Sequence, residues 1–246
     1  MQERLDRFSE VSEGYARFRP RYPETLYQFI FSQVQGRQRA WDVGTGNGQV
    51  AVELAQEFSE VIATDISASQ LAHAFQAPNI TYRICPAENS GIESTSINLI
   101  TAAQAAHWFH MDFFAHEVPR VSVQGACLAI WGYTLLEITP RIDVLVRHLY
   151  SAILAGFWDP HRDLVNRHYQ DFQLPFHEIR CPEFEMQHAY HAEEVLGYLR
   201  TWSAVSKYQG KYGKDPVSEI ESELVAAFDG RRLRGRTPVF MRAWRI

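Results

Sequence analysis

The stretch Asp42-Val43-Gly44-Thr45-Gly46-Asn47-Gly48 constrains this chain more than any other feature. A short apolar run, Ala40-Trp41-Asp42-Val43, leads into it, and Ala51, Leu54, Ala55 and Phe58 follow at helical spacing. That order reads strand, tight turn, helix. Glycine at 44, 46 and 48 lets the backbone turn sharply and lie against a ligand, since a Cβ would obstruct both. A dinucleotide-binding GxGxxG loop would require glycine at position 49, where Gln49 stands. The spacing therefore favours a cofactor with no pyrophosphate to seat on the helix N-terminus.

The same alternation continues downstream. Val61 to Thr64 forms a short buried strand closed by Asp65, and Ser67 is placed to cap a helix carrying Leu71 and Phe75. Ile80, Tyr82 and Ile84 alternate as a half-buried strand should, and Ile97 to Ala103 is an apolar run of strand length. A helix around Phe113 to Val118 and a strand from Ala126 to Trp131 follow. Repeated βα units imply a parallel sheet with right-handed crossovers, whose ligands bind at the carboxyl ends of the strands.

Beyond residue 133 the rhythm changes. Ile142, Leu145, Val146, Leu149, Tyr150 and Ile153 mark an amphipathic helix, Leu164 to Phe176 reads as helical or irregular, and Phe184 to Tyr190 as a strand. A helix through Val195, Leu196, Leu199 and Trp202, another opened by Asp215-Pro216 and ending near Phe228 to Gly230, and a strand from Thr237 to Ile246 complete the chain. The expected fold is α/β, a Rossmann-like doubly wound, mostly parallel seven-stranded sheet with a helical insertion in the C-terminal half. One domain spans 1–246, with a cofactor-covering segment at 1–36, a cofactor-binding core at 37–133 and a substrate-covering insertion with the last strands at 134–246.

A formal charge of -5 disfavours a polyanionic partner, whose binding draws on clustered Lys and Arg, so nucleic acid is not expected and a small molecule is. Cys85, Cys127 and Cys181 form no ligand spacing and read as reduced thiols; with no signal-like apolar start and no run near the ~20 apolar residues of a membrane span, a cytoplasmic location is expected. Neither a metal site nor membrane attachment is expected, and the oligomeric state is not legible.

The acidic-x-Gly-x-Gly-x-Gly loop at 42–48, with an acidic residue closing the second strand at Asp65, resembles the class I S-adenosylmethionine-dependent methyltransferase family. The resemblance implies that Asp42, Gly44, Thr45, Gly46 and Gly48 contact the methionine part of the cofactor, that Asp65 accepts from both ribose hydroxyls with Ile66 beside it, and that Ala87-Glu88 faces the adenine. On the residues alone, Asp65 could instead cap the next helix and Glu88 could be a solvated loop charge. Gln104-Ala105-Ala106-His107-Trp108-Phe109 and Tyr15-Ala16-Arg17-Phe18-Arg19-Pro20-Arg21-Tyr22-Pro23 resemble the small-molecule subfamily that includes trans-aconitate methyltransferase. That implies Gln104, Tyr15 and Arg19 at the cofactor. Arg19 would offer a planar donor fork to its carboxylate.

For the acceptor, Tyr22, Trp108, Trp131 and Trp202 are candidate substrate contacts; Trp108, Trp131, Trp158 and Trp202 together could supply an aromatic wall suited to a sulfonium, although aromatics in a chain this rich in them are more often plain core. His107 is the candidate catalytic residue, a general base if the acceptor is a phenol, alcohol or amine, and unnecessary as a base if it is a carboxylate. The function expected is O-methylation of a small carboxylate or hydroxyl. Two other readings stay open: a non-catalytic S-adenosylmethionine-binding regulator, and a nicotinamide-dependent oxidoreductase, against which Gln49 argues.

Overall fold

The computed structural model describes residues 21–246. Its centre is a sheet in the order β3-β2-β1-β4-β5-β8-β6, with β7 also paired to β8. The strands are β1 (Arg39–Val43), β2 (Glu60–Asp65), β3 (Ile80–Ile84), β4 (Ile97–Ala103), β5 (Ser122–Tyr133), β6 (His177–Ile179), β7 (Phe184–Tyr190) and β8 (Leu233–Arg245). β1 to β5 are parallel, and β8 runs antiparallel to β5. β6 and β7 lie along the same side of β8, His177 opposite Arg245 and Phe184 opposite Val239. The expected seven strands are thus seven positions, the outermost split into two pieces around Arg180 to Glu183.

The central strands are mostly apolar because helices cover both faces. On one face α1 (Glu24–Ser32) and α2 (Gln49–Leu54) pack Leu26, Ile30, Val50 and Leu54 onto Ala40, Val61, Leu99 and Ala129. On the other, α4 (Met111–Val121) brings Phe114, Val118 and Val121 onto Trp41, Ile100 and Leu128. Between them stands α3 (Ala68–Ala72), whose N-cap is Ser67 as the sequence suggests, accepting from Gln70 N. β3 is an edge strand, so Ile84, expected to be half-buried, faces solvent.

A helical lobe occupies the region expected to be inserted. α5 (Pro140–His148), capped by Thr139, runs into a π-helical turn at Leu149–Ile153; α7 (Ala192–Arg200), α8 (Ser203–Tyr212) and α9 (Ser218–Phe228) complete it. These share a separate core of Ile142, Leu149, Val195, Leu199, Trp202, Ile220 and Leu224. The lobe is joined to the sheet by β7 and the first half of β8, which extend past the end of β5. A second link is a strap through α6 (Arg162–Asn166), whose Val165 and following Tyr169 and Phe172 enter the sheet's core. None of the helices among the described residues is long and apolar enough to cross a membrane.

Candidate active site

Strand order reverses between β1 and β4, the crevice in which open α/β sheets bind ligands. The glycine loop leaves β1 there. Gly44, Gly46 and Gly48 all have positive φ, at 67°, 56° and 80°. A Cβ on Gly44 would lie 2.4 Å from the Ala105 Cβ, so this glycine is required by the close approach of the β4 turn. Among the described residues a Cβ on Gly46 would meet nothing nearer than Gln70 Oε1 at 3.8 Å, which leaves room for a ligand on its outer side.

Two carboxylates hold this loop. Asp42 is buried, accepting from Thr45 Oγ1 at 2.5 Å and Thr101 Oγ1 at 2.8 Å. Asp65 accepts from Gly46 N at 2.8 Å through one oxygen and from Ser67 N at 2.9 Å through the other. Each Asp65 oxygen keeps a lone pair for a further donor. Burial raises the Asp42 pKa to about 6 against the lowering effect of its hydroxyl donors, and the nearby Asp65 adds to the rise; burial also raises that of Asp65. Neither forms an ion pair among the described residues. A pair of desolvated acids without a counter-ion suits a cationic ligand.

Other residues expected at the cofactor gather at the same sheet end. Ile66 is exposed directly after Asp65, and Ala87 is buried after β3. Glu88 Oε1 accepts from His110 N at 2.6 Å, so one of its oxygens caps the start of α4. Gln104 adopts φ 52° after β4, and its amide nitrogen donates to Tyr133 O at 3.3 Å. Its Oε1 is buried with no hydrogen-bond partner among the described residues. An orphaned acceptor of this kind costs about 1–3 kcal/mol unless a ligand donor reaches it. Tyr15 and Arg19 lie outside the described residues.

His107 follows in a short 3₁₀ turn, Ala106–Trp108, and is buried. Its Nδ1 shares a 3.0 Å hydrogen bond with the Tyr169 hydroxyl of the strap. Burial, aided by Arg162 and His161 nearby, lowers its pKa to about 3. His107 is therefore neutral at physiological pH, and its conjugate acid is too strong for it to serve well as a general base. Tyr169 is locked in turn. Arg242 of β8 donates to Tyr169 O at 2.7 Å and Phe172 O at 2.8 Å, while its other nitrogens bind Glu178. Both His168 and Tyr169 hold positive φ, 54° and 57°, a strained arrangement of the kind that collects at functional sites.

Among the expected acceptor contacts, Trp108 stands at the site, its ring 4.9 Å from that of His107 and 5.6 Å from that of His161. Trp131 is fully buried under Tyr22, edge to face at 5.6 Å, with an indole N–H lacking a partner. Trp202 lies inside the lobe's core, against Tyr150, Trp158 and Tyr198, and reaches the site only through the first two. Thr101, Tyr169 and Arg162 are brought to the site although the sequence did not single them out. An open groove of about 750 Å³ lies elsewhere, between the outer sides of α1 and α2, bordered by Glu24, Tyr27, Asn47, Glu53 and Phe75. It touches the loop only at Asn47 and Gln49 and contains none of the groups around His107.

Residues 41–130 match the family described as a methyltransferase domain. A methyltransferase of Dictyostelium discoideum is 33% identical over 245 residues, covering 96% of this chain and 93% of its own. The chain belongs to the methyltransferase family. A solved structure described as a type II methyltransferase from Anaeromyxobacter dehalogenans superposes with a TM-score of 0.86 at 38% identity, over 93% of this chain and 98% of that one. A Bacillus halodurans methyltransferase, 19% identical with a TM-score of 0.52, shares the fold. The protein is thus an S-adenosylmethionine-dependent methyltransferase, and the residues present fit that cofactor. An open cradle at Gly46, acids without counter-ions and an orphaned Gln104 acceptor suit a ligand bearing a sulfonium, an ammonium and sugar hydroxyls.

Asp42 makes this fit pH-dependent. In the free protein its raised pKa means that the folded state holds a proton more tightly than the unfolded chain, so stability falls as pH rises from about 4 to about 6. A cationic cofactor favours the ionised form. Affinity for S-adenosylmethionine should therefore weaken roughly 3- to 10-fold between pH 7 and pH 5, with proton release on binding near pH 6. Calorimetry in buffers of different ionisation enthalpy measures both, and a pH-independent affinity in a folded protein would remove Asp42 from this role.

Proposed function

We propose that this methyltransferase transfers a methyl group to an oxygen of a small carboxylic acid bound above His107, at the carboxyl end of β4. The observation that carries this reading is the burial of His107 against Tyr169, which lowers its basicity. A phenol or alcohol must lose a proton to become a strong nucleophile, and an imidazole with a pKa of about 3 is poorly matched to removing it. A carboxylate is already ionised at pH 7. The bound cofactor supplies an electrophilic sulfonium methyl: as the carboxylate oxygen bonds to that carbon the C–S bond breaks, its electron pair staying on sulfur, and no proton moves.

The chain's own contribution is alignment and exclusion of water. In this reading Gly44, Thr45, Gly46 and Gly48 cradle the methionine part, with Asp42 holding the loop from below; Asp65 takes the ribose hydroxyls, Ile66 and Ala87 flank the adenine, and Gln104 Oε1 accepts from the ammonium. His107, fixed by Tyr169, offers a neutral hydrogen-bonding edge to the acceptor, and Trp108 forms its wall. The lobe within 134–246 covers the acceptor side. The acid reading agrees with the resemblance of Gln104 to Phe109 to the trans-aconitate methyltransferase subfamily, and a cytoplasmic setting agrees with three free thiols.

A methyl-transfer screen of small acids, phenols and amines tests the reading. With the cofactor saturating, kcat on an acid should stay flat from pH 6 to pH 8, since His107 does not titrate there. His107→Asn should lower kcat about 3- to 30-fold through lost alignment and leave that profile flat. Turnover confined to phenols or amines, with an acidic limb that disappears in His107→Asn, would replace the acid by a proton-bearing acceptor.

A further inference from the structure

The strap that fixes His107 also carries a cation with no counter-ion among the described residues. Arg162 opens α6, and its guanidinium lies over the rings of Trp158 at 5.3 Å and Tyr150 at 5.9 Å. Its one hydrogen bond among the described residues runs from Nε to the Tyr150 hydroxyl, at 3.4 Å. The terminal nitrogens, which form the fork that matches a carboxylate, make none. Other acids nearby are engaged: Asp159 accepts from the backbone and ring of His161. The strap's other arginine, Arg167, is paired with Asp171. Among the described residues Arg200, Arg232 and Arg236 have carboxylate partners, whereas Arg141, Arg147 and Arg162 are in no ion pair; of these three, Arg162 is the one that lies over aromatic rings.

Its neighbourhood places it at the acceptor. The strap runs from the Trp158 ring to Tyr169, whose hydroxyl touches His107, and His161, adjacent to Arg162 in the chain, packs against Trp108 with its ring tilted. The same aromatic residues cover part of the guanidinium, which is half-buried, and a partly desolvated cation makes a stronger ion pair than one in open solvent. The surroundings combine aromatic faces, a neutral imidazole and an unpaired planar cation.

We propose that Arg162 is the specificity-determining residue for the acceptor, binding the carboxylate of a small acid with a flat, conjugated or aromatic body. This rests on the acid reading above. One carboxylate oxygen faces the guanidinium fork and the other is left for the methyl group. Methylation forms the ester's O–C bond and cancels the charge that Arg162 recognises. The ester is then held less tightly than the acid, so the residue that selects the substrate also favours release of the product.

The test is calorimetric titration of the protein saturated with S-adenosylhomocysteine, using benzoate, cinnamate and fumarate, each compared with its methyl ester or amide. Wild type should bind at least one acid ten-fold or more above its neutral counterpart. Arg162→Gln should abolish that preference and raise KM for the acid ten-fold or more, with a smaller change in kcat, while Arg162→Lys should recover part of the affinity. Unchanged melting temperature and S-adenosylhomocysteine affinity show that the variants are folded. Equal acid affinity in wild type and a folded Arg162→Gln overturns the proposal, as does a wild type that binds S-adenosylhomocysteine but none of the acids. If acids are methylated and Arg162→Gln is silent, the acid reading survives and the role of Arg162 falls. Methyl transfer to a phenol or amine alone ends both.

Discussion

Gly44→Ala should abolish measurable S-adenosylmethionine binding and lower the melting temperature by roughly 5–15 °C. The added Cβ lands 2.4 Å from the Ala105 Cβ and 3.4 Å from the Phe109 ring. Ala105 has no side-chain torsion with which to retreat, so the backbone of one loop or the other must move. Overpacking of this kind costs about 1–3 kcal/mol, and the left-handed conformation at φ 67° adds about 1–2 kcal/mol for a residue bearing a Cβ. A few kcal/mol in a chain of 246 residues corresponds to the stated shift, at about 2–4 °C per kcal/mol. Cofactor binding suffers further because the displacement separates the glycine loop from the Gln104 turn, the two sides of the crevice. Gly46→Ala is the control: it carries the same backbone strain but meets only Gln70, so its loss of stability should be smaller. Thermal melts and cofactor titrations of both variants measure this, and a Gly44→Ala protein with wild-type values would mean that the two loops do not pack as described.

The part of the site that was legible in the sequence is the part built from local geometry. A glycine loop between a strand and a helix, an acid at the end of the next strand and a serine cap are written within a few residues of one another, and the structure places them as expected. The β7 strand at Phe184–Tyr190 was equally plain from its own pattern. What escaped depends on contacts across long stretches of chain. The partner of His107 is 62 positions away, in a strap whose two consecutive left-handed residues, His168 and Tyr169, have no glycine to announce them. Nothing near His107 in the sequence shows that it will be desolvated beside Arg162, so its ordinary basicity was the natural expectation and its lowered pKa a consequence of tertiary packing.

The fold shows the same division. β8 begins at Leu233, earlier than the expected Thr237, because its first residues pair with β7 and, at Arg236, with Glu137, and project beyond β5, an arrangement set by the lobe. α8 was missed because it buries little more than Ala204 and Val205, too narrow a stripe to be read from periodicity. α1 carried a usable signal in Pro23, an acidic first turn and Leu26, Tyr27 and Ile30, but it lies in a segment read for its arginines and tyrosines.

Trp202→Ala should destabilise the lobe by about 3–5 kcal/mol and disturb the acceptor site only as a consequence. The sequence placed Trp202 among the acceptor contacts; the structure buries it, 6% exposed, among Tyr150, Trp158 and Tyr198. Removing the indole leaves a cavity that these aromatic neighbours cannot fill without giving up their own positions. Tyr150 and Trp158 are the two rings over which Arg162 lies, so the disturbance passes to the strap and from there to Tyr169 and His107. The glycine loop and Asp65 draw their support from the sheet and from α1 and α2, which share no core with the lobe. Cofactor affinity at low temperature should therefore stay within about two-fold of wild type, while KM for the acceptor rises and hydrogen exchange accelerates first in α5, α7 and α9. Trp202→Phe refills most of the volume and should restore the acceptor KM along with the lobe's stability. A Trp202→Ala protein of wild-type stability with a raised acceptor KM would show instead that the indole touches the substrate itself, and the acceptor pocket would then extend into what is described here as the lobe's core.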